Sequence, residues 1–149
     1  MKQWISFLLI VSSLKAMPTG IYGPCREESS DATHITIFEK SLSINGKSFN
    51  FYDISPNVLR KTEGECFNVI VHNQTNVPTS LHWHGLILPV LEDGVSYVTQ
   101  APILPGENHP YNFQVVQTGT FWIHSHFGLQ EQKLMAAPLI LLPVQKEVT

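Results

Sequence analysis

The feature that most constrains the fold is a series of short segments in which apolar and polar residues alternate. The clearest are HITIFEKSLSING (residues 34–46), ECFNVIVHN (65–73) and YNFQVV (111–116). In the first segment Ile35 and Ile37, and then Leu42 and Ile44, lie two residues apart. Since side chains two apart on a strand share a face, each segment is typical of a strand with one buried side.

Turn-forming stretches separate these segments. DISPN, NQTNVPTS, LPVLEDG and APILPGENHP each carry Pro, Gly, Asn or Asp, the residues that end strands and form turns. No helix is expected beyond one turn near LQEQKLM. The pattern predicts an all-β domain over residues 34–145, with six to eight strands in an antiparallel β-sandwich or Greek-key barrel. The last segment, APLILLP, is continuously apolar and should be central or covered on both faces.

The chain begins with a pattern of export. One lysine and then an apolar run from Trp4 to Val11 predict a secretory signal peptide over residues 1–16, which is too short to span a bilayer. Residues 17–33 are polar and predict a flexible leader. We therefore expect the protein to be exported to the periplasm and to have no contact with the membrane after the signal peptide is removed. The net charge of −3 gives no reason to expect nucleic acid as a partner.

The chain has two cysteines, Cys25 and Cys66. Outside the cytoplasm a disulfide between them is favoured by the oxidising environment. Only this pairing is available, but spacing alone does not test its geometry, so the pairing stays open at this point.

Two His-x-His pairs carry the chemistry: His82 and His84 in LHWHG, and His124 and His126 in WIHSHFG. On a strand each pair shares a face, so four imidazoles converge if the two strands meet. Imidazole suits copper, zinc and iron, and no carboxylate or thiolate accompanies the pairs at ligand spacing. An all-histidine copper site fits best.

Four other residues could bind metal or move protons but lie outside these pairs. His34, His72 and His109 have no histidine two or four positions away and are expected to be structural. Asp93, in LEDGV, has two interpretations. It is either an acid beside the site that orients water or relays a proton, or the Asp of an Asp-Gly turn.

The stretches TSLHWHGLILP, DGVSYVTQAPILPGE, GTFWIHSHFGLQEQ and APLILLP resemble the N-terminal cupredoxin domain of the multicopper oxidases over about residues 34–143. The run HFGLQEQ is most similar to the bacterial copper-resistance branch. The resemblance implies a cupredoxin-like, plastocyanin-like Greek-key fold. It also implies that His82 serves a type 2 copper, that His84, His124 and His126 serve the type 3 pair, and that Asp93 assists proton delivery.

The implied activity is one-electron oxidation of a substrate, such as cuprous ion, coupled to reduction of dioxygen to water. The family places its other four cluster ligands in motifs resembling HPxHLHG and HCH, and neither occurs here. Cys25 and Cys66 also lack the histidine neighbours of a type 1 copper site. The chain is therefore expected to be an N-terminal piece that needs a separate chain with the C-terminal cupredoxin domain, or self-associates through an uncovered apolar face.

Two further functions compete with this one. A non-catalytic, exported copper-binding protein would use the same four histidines to sequester copper and would need no partner. A cupin-type metal enzyme also uses His-x-His on a strand, but Glu92 lies too far from His84 for that motif.

Overall fold

The computed structural model describes Cys25 and residues 32–145. This part of the chain forms eight strands: β1 (Thr33–Ile44), β2 (Lys47–Ser55), β3 (Leu59–Thr62), β4 (Cys66–Asn73), β5 (Leu81–His84), β6 (Asn108–Gln114), β7 (Gly119–Ser125) and β8 (Ala136–Leu142). Its helical elements are two single 3₁₀ turns, Val90–Glu92 and Glu131–Lys133. The second turn is the one expected near LQEQKLM, and the all-β prediction is confirmed. None of the helical segments described has the length and apolar character needed to cross a membrane.

The strands form two four-stranded sheets. The first sheet has the order β2-β1-β4-β6, and the second has the order β3-β8-β7-β5. A single apolar core, which includes Ile35, Phe67, Trp83, Tyr111 and Leu139, brings side chains from both sheets together. Burial of these side chains is the main force that holds the sandwich together.

The antiparallel pairing that the sequence predicts holds for four of the six strand pairs. β1 pairs with β4 in parallel, and β3 pairs with β8 in parallel, while the other four pairs are antiparallel. The chain leaves the first sheet after β2, forms β3 in the second sheet and returns as β4, so that β4 runs alongside β1 in the same direction. Alternation along a strand reports which face is buried and carries no information about direction.

The N-terminal half of β1 is buried and its C-terminal half is not. Ile35 and Ile37 are fully buried, whereas Leu42 is 47% exposed and Ile44 is 51% exposed. The odd-numbered residues point into the core, so Leu42 and Ile44 lie on the outer face. Here β1 and β2 continue as a hairpin beyond the sheet, and β1 ends at Ile44 before Asn45 and Gly46 turn the chain with positive φ angles.

The expectation of a central position for APLILLP is confirmed. β8 lies between β3 and β7 in the second sheet. Its buried residues alternate with exposed ones, and Pro138 on the outer face is exposed. Among the described residues, the outer face of β8 is therefore largely exposed.

A disulfide joins Cys25 to Cys66 at the start of β4, with the two Cα atoms 5.7 Å apart, a separation typical of disulfides. The backbone N–H of Cys25 donates a hydrogen bond to Oδ1 of Asn112 on β6, at 2.7 Å. Cys25, which lies in the predicted leader, is therefore held against the first sheet. The predicted signal peptide, and the leader residues apart from Cys25, 32 and 33, lie outside the described residues.

Candidate metal centre

The two His-x-His pairs lie on neighbouring strands of the second sheet. β5 pairs with β7 so that His82 stands opposite His124 and His84 stands opposite Trp122. Leu81 and Trp83 point into the core, so His82 and His84 project from the outer face. The alternation of β5 thus separates two apolar anchors from two candidate ligands.

Three of the four imidazoles form a compact cluster. One ring nitrogen from each of His82, His84 and His124 lies within 4.8 Å of the others, and Nδ1 of His84 lies 3.2 Å from Nε2 of His124. His126 follows the end of β7. Its ring centroid is 5.5 Å from that of His82 and 6.3 Å from that of His124. The structure brings three predicted ligands together and leaves His126 beside them.

Backbone carbonyl groups orient two of the rings. Nδ1 of His82 lies 2.7 Å from the carbonyl oxygen of Asp93, and Nδ1 of His124 lies 3.0 Å from that of Ser125. A carbonyl oxygen only accepts hydrogen bonds, so each Nδ1 donates its proton. The lone pair of each neutral ring is then on Nε2. Such a hydrogen bond is the usual device that orients a metal-binding histidine.

The surroundings favour the neutral, metal-binding form of His124. Burial lowers the pKa of His124, and positive charge on His82 or His84 would lower it further. The Ser125 carbonyl and the carboxylate of Glu131, 3.3 Å from Nδ1, oppose this shift. Trp122 stacks on the His124 ring at 4.3 Å between centroids and shields it from water on that side.

The loop that carries Asp93 is pressed against β5. Gly94 has a φ of +74°, and a Cβ atom there would lie 1.7 Å from the carbonyl oxygen of Leu81. The neighbouring Glu92 accepts a hydrogen bond through Oε2 from the backbone N–H of Asn112, at 2.9 Å. Asp93 ends the first 3₁₀ turn and also contacts His82 through its carboxylate, 3.2 Å from Nδ1. Both interpretations of Asp93 are therefore compatible with its position.

Gln130 is a residue that sequence reasoning missed. Its side chain is buried, and Oε1 accepts hydrogen bonds from the hydroxyls of Thr79 and Ser125, each at 2.7 Å. Its amide donates to the carbonyl oxygen of Pro78 at 2.8 Å. Gln130 thereby ties the segment that precedes β5 to the end of β7. Its partners are up to 52 residues away in sequence, so no local pattern indicates the role.

His34 and His72, which the sequence predicts to be structural, contact each other. Nδ1 of His34 lies 2.8 Å from Nε2 of His72 across the β1–β4 pair. A parallel pairing of distant strands brings them together, and this pairing has no signature in the spacing of histidines. His109 has no such histidine partner among the contacts of the described residues; its ring packs edge-on against Tyr111 at 4.8 Å, and burial lowers its pKa.

The chain is similar to known copper oxidases and copper-resistance proteins. A family model described as "Multicopper oxidase" matches residues 39–146. Copper resistance protein A of Escherichia coli is 40% identical over 111 residues, which are 72% of this chain and 18% of that protein. Laccase-2 of Botryotinia fuckeliana is 49% identical over 79 residues, 50% of this chain and 14% of that protein.

A solved structure shows the same fold. The blue copper oxidase from Nitrosomonas europaea superposes with a TM-score of 0.69 at 28% identity, covering 78% of this chain and 40% of that one. The predicted cupredoxin-like sandwich is thus confirmed. The chain spans less than a fifth of the length of Copper resistance protein A.

Proposed function

The chain belongs to the multicopper oxidase family, and on that premise we propose that it supplies one half of a copper cluster at which dioxygen is reduced. The proposed ligands are His82, His84, His124 and His126. The observation that carries the proposal is the convergence of three imidazoles from two strands on the outer face of the second sheet. His126 would complete the set from the end of β7.

The donor set fits copper. Two nitrogens that bind one ion at about 2.0 Å lie about 2.8 to 3.3 Å apart, depending on the angle between them. His84 and His124, at 3.2 Å, meet this requirement for a shared ion. His82 and His126 would then serve neighbouring ions, which agrees with the type 2 role for His82 and the type 3 roles for the other three histidines that the family resemblance implies.

When bound, copper would supply the transfer of electrons to dioxygen. The chain's own residues hold and orient the ligands. The carbonyl oxygens of Asp93 and Ser125 accept hydrogen bonds from Nδ1 of His82 and His124, so that Nε2 of each ring stays unprotonated. The Asp93 carboxylate, 33% exposed and next to His82, is placed to exchange a proton between solvent and the site. We assign it the role of proton relay.

The remaining ligands would come from a second domain that covers this face. Several large apolar side chains near the loops around the cluster are exposed, among them Tyr97 (78%), Val98 (79%) and Leu129 (69%). We infer that these side chains form part of one apolar surface, which is typical of a protein interface. We expect the partner to be a C-terminal cupredoxin domain, on a separate chain or elsewhere in a longer protein, and self-association when that domain is absent.

A non-catalytic role remains the second candidate, because three imidazoles are assembled without any partner. In that case the chain would bind and sequester copper but would not reduce dioxygen. For either role we propose an exported, periplasmic protein, with a signal peptide over residues 1–16, a leader over 17–33 and the copper-binding domain over 34–145. The Cys25–Cys66 disulfide supports export, since oxidising compartments favour such bonds.

The test is copper content and oxidase activity of the purified full chain. We expect bound copper, no blue type 1 absorption, and no turnover of phenols or cuprous ion by the chain alone. Oxygen consumption should appear when a chain with an HCH-bearing cupredoxin domain is added. No restoration by any such partner, with copper still bound, would favour sequestration.

The ligand set is tested by substitution. His82→Ala and His126→Ala should each lower the copper bound per chain, and His109→Ala, which lies on the first sheet, should leave it unchanged. Unchanged copper content in both ligand variants would overturn the assignment. Rapid oxidation of phenols or cuprous ion by the chain alone would overturn the proposal that it supplies only half of the copper cluster.

A further inference from the structure

A second pair of histidines meets on the opposite sheet. Nδ1 of His34 and Nε2 of His72 are 2.8 Å apart, and the ring centroids are 5.1 Å apart with an interplanar angle of 19°. β1 and β4 lie side by side in parallel, with Thr36 opposite His72. Since Ile35 and Val71 point into the core, both histidines project from the outer face of the first sheet.

We propose that His34 and His72 form a second copper(II) site, separate from the cluster around His82. Two nitrogens bound in neighbouring positions to one ion at about 2.0 Å lie about 2.8 Å apart, which matches the observed separation. Because both rings project from the same face of adjacent strands, side-chain rotation can aim a lone pair of each ring at one ion. Anchoring on two adjacent strands keeps the pair together and favours chelation over binding by one imidazole.

The chemistry of the pair selects copper(II) among divalent ions. Imidazole is a good ligand for copper, nickel and zinc, and affinity for such sites is highest for copper(II). Copper(II) accepts a square arrangement in which water fills the positions that protein leaves open. His34 is exposed and His72 is half-buried, so solvent reaches the site. Both protein ligands belong to this chain, so the site needs no second domain.

The location makes the site independent of the proposed oxidase function. The His82 cluster projects from the outer face of the second sheet, and the two sheets of a sandwich are about 10 Å apart. With side chains extending outward on both sides, the two copper positions would be about 20 Å apart. Copper at His34 and His72 would therefore be a peripheral ion that the chain binds whether or not the His82 cluster is completed.

The alternative is a hydrogen bond alone, in which one ring donates to the other. Copper(II) sulfate titrated into the full chain separates the two, with bound ion counted by electron paramagnetic resonance. We expect the unsubstituted chain to bind one more copper(II) than His34→Ala or His72→Ala. In each single variant the affinity for that extra copper(II) should fall at least about tenfold. The double variant should have an affinity little lower than either single variant, because chelation needs both rings.

His109→Ala is the matched control, since His109 is a histidine of the same sheet without this partner, and it should keep the extra equivalent. His72→Gln, which retains a polar side chain, guards against a folding defect, and circular dichroism checks each variant. The dipolar interaction between the two copper(II) ions should report a distance of about 20 Å and should disappear in His34→Ala. Unchanged copper equivalents in both single variants would overturn the proposal.

Loss of copper from His82→Ala with the extra equivalent retained would separate the two sites. Failure of the oxidase proposal would leave this second site standing, because its count depends on His34 and His72 alone.

Discussion

Nδ1 of His82 lies 2.7 Å from the carbonyl oxygen of Asp93 and 3.2 Å from one of its carboxylate oxygens. The carbonyl oxygen accepts a hydrogen bond from the Nδ1–H group, which leaves Nε2 with the lone pair. The backbone of Asp93 thus sets the tautomer of His82, while the carboxylate lies beside the same ring and reaches solvent. The position of Asp93 is thus compatible with both the turn role and the acid role that the sequence presented as alternatives.

Substitution of Asp93 separates these two contributions. Asp93→Ala keeps the backbone carbonyl, so His82 stays oriented and copper affinity should fall only about tenfold, at the lower end of what removal of a supporting group costs. Asp93→Asn should behave in the same way or more mildly. Competition with a chromogenic chelator measures the affinity. Complete loss of copper in both variants would mean that the carboxylate itself is a ligand.

Gly94 should be far less tolerant of substitution than a glycine of similar conformation elsewhere. Gly94→Ala places a Cβ atom 1.7 Å from the carbonyl oxygen of Leu81, whereas Gly106, with φ +80°, has no atom within 4 Å of that position. Both variants bear the positive-φ cost of about 1 kcal/mol. Gly94→Ala must also move the loop or β5, and we expect a total loss of about 3 kcal/mol or more in urea unfolding, with weaker copper binding.

Equal losses for Gly94→Ala and Gly106→Ala would contradict this close packing. Copper affinity gives a second comparison, because Gly106→Ala leaves the loop that carries Asp93 in place and should bind copper as the unsubstituted chain does.

The parts of the fold that sequence reasoning predicted depend on local periodicity. Ile35 and Ile37 are buried as expected, and the fixed spacing of two residues also explains why His82 and His84 emerge together. The same reasoning failed at Leu42 and Ile44, because the change from odd to even positions reverses the face and the hairpin extends past the sheet. The parallel direction of the β1–β4 and β3–β8 pairs was not predicted, because it depends on where the chain crosses between the two sheets.

In the candidate site, too, some features follow from local motifs and others depend on how distant segments pack. The cluster of His82, His84 and His124 follows from two local motifs once their strands are neighbours. The contact between His34 and His72 and the hydrogen bonds of Gln130 to Thr79 and Pro78 join residues 38 to 52 positions apart. These contacts exist only because particular strands and loops pack together, so no spacing along the chain indicates them.

Gln130 should be essential for holding the two histidine motifs together. Gln130→Ala removes three hydrogen bonds and leaves the hydroxyls of Thr79 and Ser125 without this acceptor in a buried place. We expect a loss of about 2 to 4 kcal/mol in the free energy of unfolding, together with weaker copper binding. Gln132→Ala, at an exposed position two residues away, is the matched control and should change neither. A loss of stability without any change in copper affinity would limit Gln130 to a structural role.

The disulfide should stabilise the domain strongly. Cys25 and Cys66 are 41 residues apart, and closing a loop of that length restricts the unfolded chain by about 4 kcal/mol. Cys25→Ser combined with Cys66→Ser should lower the free energy of unfolding by an amount of this order, and reductant should destabilise only the unsubstituted chain. Equal stability of the oxidised and reduced chains would contradict the contribution of the bond.

Acid should destabilise the domain through His109. Burial lowers the pKa of His109 below its ordinary value of 6.5, so the folded state binds fewer protons than the unfolded state between the two values. The stabilising contribution is therefore complete above about pH 6.5 and is lost as the pH falls towards the lowered pKa. Urea unfolding between pH 8 and pH 5, with a chelator present to remove copper, should show a shallower loss of stability for His109→Gln than for the unsubstituted chain. His34→Gln, a control at an exposed histidine of the same sheet, should retain the steeper slope. Parallel pH profiles for all three proteins would show that His109 is not the group responsible.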